Sequence, residues 1–126
     1  MSIIYVAGPY RHETICGTLD NIRFAERIAK ILWRNGFVAV CPHTNSRLFD
    51  DVAPQDVFLN GYERLVTRCD GMVLVPGWEK SSGTRREKAI AENCGIYVVE
   101  FPLYLTVTQP DDGSLKRFME ELHAKC

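Results

Sequence analysis

Apolar positions in this chain alternate between short β-branched runs and stripes at helical spacing. Ser2 to Ala7 is a run that stops at Gly8-Pro9, the pattern of a buried strand emptying into a loop. Asp20 to Arg34 then carries Ile22, Ala25, Ile28, Ala29 and Leu32 at helical spacing, with Gly36 just past its end, and predicts an amphipathic helix started by Asp20 and Asn21. Phe37 to Cys41 is a second strand, closed by Pro42 before an irregular stretch through Ala53. Pro54 fits the first turn of a helix to about Arg68 that points Val57, Phe58, Leu65 and Val66 at the core. Gly71 to Val75 and Ile96 to Phe101 predict two more strands, separated by a Gly/Pro/Ser loop at 76–83 and a helix from Thr84 to Asn93. Gln109 to Gly113 is a turn cluster, Ser114 to Ala124 a last helix, and Leu105 to Thr108 a candidate fifth strand.

Strands alternating with helices indicate βαβ units, so the expected fold is α/β: a small doubly wound parallel sheet of four or five strands, flavodoxin- or Rossmann-like, with helices on both faces. Such sheets bind ligands outside the carboxyl ends of their strands, which selects the loops beginning at Gly8, Pro42 and Pro76. With 126 residues, 46% of them hydrophobic, a single domain spanning residues 1–126 is expected.

The formal net charge of −1 offers no whole-molecule field for nucleic acid or an anionic membrane, so a small-molecule or protein partner fits better. No apolar run reaches the roughly 18 residues that span a bilayer, and Met1 to Val6 lacks the features of a signal peptide, which makes the cytoplasm the default location. Five cysteines without a CxxC pair and three dispersed histidines argue for reduced thiols and against a zinc site.

The loop Pro76 to Thr84 leads into the helix bearing Glu87, so backbone donors and a helix start converge on the ligand side. There the positive end of the helix dipole is expected to favour the ionised carboxylate, the form a nucleophile at an anomeric carbon requires; the plainer reading is a carboxylate that only complements the dipole. Arg85 and Arg86 lie in the same first turn, where cations are disfavoured, so a phosphate or a neighbouring subunit is the expected compensation. Trp78 is placed to stack on a base or to pack over the core edge, and His43 to complete a loop hydrogen-bond network.

Three segments in register, Tyr5-Val6-Ala7-Gly8-Pro9, Cys69-Asp70-Gly71-Met72-Val73 and Ser82-Gly83-Thr84-Arg85-Arg86-Glu87, resemble the nucleoside 2-deoxyribosyltransferase superfamily over roughly residues 3 to 101. Within it the chain is similar to a DUF4406-like subgroup with Pro-Gly-Trp before the glutamate loop, related to the deoxynucleoside 5'-monophosphate N-glycosidases. The resemblance implies that Glu87 attacks the anomeric carbon and expels the base, that Tyr5 orients it, and that a carboxyl seven residues before Asp70, here Glu63, protonates the leaving group. The usual aspartate six residues before the glutamate is Ser81 here, as in the monophosphate glycosidases, and Gly8-Pro9-Tyr10-Arg11 matches their Gly-x-x-Arg. Arg11 and Ser81 are thus expected to hold a phosphate, with Gly8, Asp70, Trp78 and Gly83 completing the substrate site. Pro9 departs from the serine of those glycosidases and removes a donor.

The implied activity is an N-glycosidase, a hydrolase of nucleoside 5'-monophosphates needing neither cofactor nor metal. The alternatives are base exchange by a deoxyribosyltransferase and a noncatalytic nucleotide-binding or accessory protein on the same fold, which the replacements at Glu63 and Ser81 permit. The resemblance also implies a homo-oligomer.

Overall fold

The computed structural model describes residues 1–108, 110 and 112–126. The elements are β1 (Ile3–Ala7), α1 (Ile15–Arg34), β2 (Val38–Val40), α2 (Pro42–Asn45), α3 (Gln55–Val66), β3 (Gly71–Leu74), a 3-10 turn (Trp78–Lys80), α4 (Ser82–Asn93), β4 (Tyr97–Glu100), α5 (Leu103–Val107) and α6 (Ser114–Lys125). The four strands form one parallel sheet in the order β2-β1-β3-β4, with Tyr5 opposite Val40 on one side and Met72 on the other.

Period-two alternation sorts the strands onto two faces. Ile4, Val6 and Val73 join Ala25, Ile28 and Leu32 of α1, Leu105 of α5 and Leu122 of α6 in one core, while Tyr5, Ala7, Met72 and Leu74 join Val66 of α3 and Ala91 of α4 in the other. Adjacent strands β1 and β3 send their connections to opposite faces, to α1 and to α4. The sheet therefore has a topological switch point, and a crevice, between the ends of these strands.

Several local expectations give way. The first helix begins at Ile15, capped by the Thr14 hydroxyl accepting from Gly17 N–H at 3.0 Å; Asp20 and Asn21 lie inside it. Asn21 instead donates through Nδ2 to the Tyr10 carbonyl and ties down the loop after β1. The stretch after Pro42 contains the short helix α2, and Pro54 precedes α3 rather than opening it. Leu105 to Thr108 is not a strand: Leu103–Val107 coils into α5 and buries Leu105, so among the described residues the sheet has four strands. Val57 faces solvent at 54% exposure. Of the turn cluster at Gln109 to Gly113, Gln109 and Asp111 lie outside the described residues; Gly113 takes a left-handed φ of 79° ahead of α6.

Candidate functional site

Glu87 stands about one turn into α4, on the side turned toward the sheet, and Tyr5 points out of β1 to meet it. The phenol donates to Oε2 of Glu87, although the two residues are 82 positions apart in sequence. Tyr5 is fully buried, and its burial, followed by the Glu87 charge, pushes the phenol well above its ordinary range. It is therefore a neutral donor at all working pH values. Glu87 is half-buried, and its pKa rises from the ordinary 4.5 to about 7, chiefly by desolvation, with the charge of Glu63 adding to the rise and the Tyr5 hydrogen bond opposing it. The helix dipole alone suggested a readily ionised carboxylate; desolvation outweighs it. A carboxyl group titrating near neutrality is a common signature of sites for proton or glycosyl chemistry.

Around this pair the loops are tightly braced. Gly8 leaves β1 so close to β3 that a Cβ there would lie 2.5 Å from Cβ of Val75, so the position excludes any side chain. His43, buried, offers Nε2 to the carbonyls of Gly8 at 3.1 Å and Pro9 at 2.9 Å, pinning the loop after β1 to α2. Burial lowers its pKa, with the hydrogen bonds to the Pro9 and Gly8 carbonyls opposing the shift. Arg11, 53% exposed, pairs with Asp50 at 3.3 Å. Tyr10 donates to the same carboxylate at 3.0 Å and accepts the N–H of Leu48, a non-glycine residue at φ 57°.

Ser81 caps α4, its Oγ accepting from Thr84 N–H at 3.1 Å and from the Thr84 hydroxyl at 2.9 Å, which leaves its own hydrogen free to donate. Gly83 sits in the first turn, where amide N–H groups have no helical acceptor. The two arginines of that turn find partners: Nε and Nη2 of Arg86 grip the two oxygens of Glu63, the second at 3.3 Å, and Nη1 of Arg85 donates to the Glu79 carbonyl. The Glu63 side chain is only 17% exposed in this pair, and to serve as an acid it must first leave Arg86.

A profile of the family described as a domain of unknown function (DUF4406) matches residues 2–100. The chain belongs to the DUF4406 family. Among solved structures, 2-deoxyribosyltransferase from the psychrotolerant bacterium Bacillus psychrosaccharolyticus superposes with a TM-score of 0.61, covering 90% of this chain and 96% of that one at 16% identity. At that identity the likeness is one of fold, a deoxyribosyltransferase-like α/β sheet. No curated protein matches the sequence.

Not every candidate of this DUF4406 chain joins the Glu87 cluster. Asp70 precedes β3, at the amino edge of the sheet, where Oδ2 accepts the Ile3 N–H at 2.7 Å; it fastens the start of β1 at the end opposite the crevice. Trp78 packs against the α3/α4 core with Lys88 Nζ 5.5 Å from its ring centroid, so one face of the indole is covered. Among the described residues its buried Nε1 finds no hydrogen-bond partner. Sequence reasoning missed Tyr62, whose hydroxyl sits 2.6 Å from Ser46 Oγ and accepts from Asn45 Nδ2 at 3.1 Å, joining α3 to the end of α2. A tyrosine on a helix gives no sign of such a partner 16 residues away; only its neighbour Glu63 marked that turn as polar. Among the described residues no three His, Cys, Asp or Glu side chains gather into a metal site, and no helix is long and apolar enough to cross a membrane.

Proposed function

We propose that this chain cleaves the N-glycosidic bond of a nucleoside 5'-monophosphate, with Glu87 as the attacking carboxylate. The observation that carries the reading is the Tyr5–Glu87 pair, a desolvated carboxylate oriented by a neutral phenol beside the switch-point crevice. The solved deoxyribosyltransferase of like fold supports a nucleoside-type substrate.

In the first step an oxygen of ionised Glu87 bonds to the anomeric carbon while the carbon–nitrogen bond breaks toward the base, which takes up a proton. Water then attacks the glycosyl ester, giving its proton to the Glu63 carboxylate left by the first step, which releases sugar phosphate and restores ionised Glu87. Tyr5 holds the carboxylate in one rotamer and favours its charged form. Glu63, ionised and paired with Arg86 in this structure, serves as the acid only after it has left Arg86 and taken up a proton from solvent, which it then passes to the base. Arg11 and the free hydroxyl hydrogen of Ser81 bind the phosphate, assisted by the first-turn amides at Ser82 and Gly83. The ion pair of Glu63 with Arg86 also favours a second reading, a nucleotide-binding protein whose acid has been withdrawn from chemistry.

Chromatography of free base released from nucleosides and their 5'-monophosphates, with and without a competing base, tests the proposal. Release mainly from monophosphates, lost in Glu87→Ala, is expected. A new nucleoside formed with the added base would make the chain a transferase, and nucleotide binding without any release would favour the second reading.

A further inference from the structure

Residues 47–53, between α2 and α3, are held to the fold by very little. Beyond turn bonds within the segment and to Ser46, its hydrogen bonds and ion pairs among the described residues all go to Tyr10 and Arg11. Tyr10 Oη donates to Asp50 Oδ1 at 3.0 Å and accepts from Leu48 N–H at 2.9 Å, while Arg11 Nη1 pairs with Asp50 Oδ2 at 3.3 Å. Apolar packing adds little, because Leu48 is 53%, Phe49 45% and Val52 72% exposed. Leu48 is moreover kept at φ 57°, a region that disfavours an L side chain.

Tyr10 and Arg11, in contrast, stand on a fixed backbone. Asn21 Nδ2 donates to the Tyr10 carbonyl at 3.1 Å, and His43 Nε2 meets the carbonyls of Gly8 and Pro9 just before it. A phenol and a guanidinium thus converge on one oxyanion from a braced loop at the ligand end of β1, and the oxyanion they hold belongs to the looser partner. Two such donors suit a phosphate as well as a carboxylate. A phosphate monoester carries about −1.5 to −2 charge at neutral pH, so it can outcompete a singly charged carboxylate that has the advantage of being tethered. A phosphodiester, with one charge, only matches it.

We propose that Tyr10 and Arg11 together bind a terminal phosphate monoester, that the Asp50 carboxylate holds its place in the free protein, and that displacing Asp50 releases residues 47–53. This rests on the reading that Arg11 binds the nucleotide phosphate. It adds Tyr10 as a second donor, Asp50 as an internal competitor, and a segment bearing Leu48, Phe49 and Val52 that is set free beside the site when the phosphate arrives.

Titration with 2-deoxyribose 5-phosphate, followed by nuclear magnetic resonance, tests this without any catalytic step. Asp50→Asn, which keeps the size of the side chain, should bind it about three- to tenfold more tightly than the wild type. Asp51→Asn removes a neighbouring charge that has no ion-pair partner among the described residues, and should change binding by less than about twofold. In an Arg11→Gln background Asp50→Asn should give no gain, and Tyr10→Phe added to Asp50→Asn should weaken binding about three- to tenfold. Tryptic cleavage after the exposed Arg47 should become about threefold faster or more when the sugar phosphate is bound, a change that a purely electrostatic role of Asp50 would not produce. Equal affinity in the wild type and Asp50→Asn, a gain that persists without Arg11, or cleavage after Arg47 slowed by the sugar phosphate would each overturn the proposal. A sugar phosphate that fails to bind even Asp50→Asn would remove the phosphate site altogether, whereas Arg11-dependent binding without base release would sink the glycosidase reading alone.

Discussion

Among the described residues, the face of the sheet covered by α1, α5 and α6 gathers a hydrophobic core of fifteen buried side chains; the face covered by α3 and α4 gathers seven, among them Tyr5 with its hydroxyl turned to Glu87. Hydrocarbon packing makes the first face a source of stability. The second gives up part of that packing to hold a desolvated carboxylate, a neutral phenol and the Glu63–Arg86 pair. On the proposed reading, stability and chemistry are thus divided between the two sides of one four-stranded sheet.

Substitutions on the two faces should differ in kind. The largest effect is expected from Glu87→Gln, at least about a thousandfold loss of base release, with the variant folded and at least as stable as the wild type. Loss of stability without loss of activity would remove the distinction between the faces. On the other side, Leu32→Ala leaves a cavity in the apolar core and should cost about 2–5 kcal/mol in urea unfolding. Leu65→Ala, on the half-buried outer side of α3, should cost the isolated chain under about 1.5 kcal/mol.

The pH dependence sharpens the contrast. Glu87 titrates at about 7 in the folded chain against 4.5 ordinarily, so it is protonated in both states below pH 4.5 and costs nothing there. As pH rises through 7 the folded state must carry a buried charge, and stability should fall by about 1–3 kcal/mol relative to Glu87→Gln. Unfolding curves of the two proteins at pH 4.5 and 8 check this; parallel curves would mean that Glu87 is well solvated. Activity should rise over the same interval, as the nucleophile ionises. The smallest effect is expected from Thr14→Ala, which removes the α1 cap far from Glu87 and should cost about 1 kcal/mol with base release unchanged.

Much of this division is legible in the residues. The β-branched runs at Ile3–Ala7 and Gly71–Leu74 show their strands, and Ile22, Ile28 and Leu32 show the stripe of α1. The start of α1 is hidden because Ile15 and Cys16 are exposed and Gly17 has no side chain, so they add nothing to that stripe, while Thr14 is one polar residue among several in its loop. At Leu103–Val107 the β-branched side chains suggest a strand, and burial of Leu105 and Thr106 selects a helix instead. Glu87 and Tyr5 are legible through motif order. The end of the sheet that Asp70 occupies, and the bond between Tyr62 and Ser46, depend on tertiary placement that local pattern does not encode.

The central claim is that Glu87 bonds to the sugar, and the stereochemistry of trapping tests it most directly. With a deoxynucleoside 5'-monophosphate in aqueous methanol, two successive displacements through a Glu87 ester predict a methyl glycoside of retained anomeric configuration by nuclear magnetic resonance. An inverted glycoside would show that methanol attacks directly and would contradict a nucleophilic Glu87.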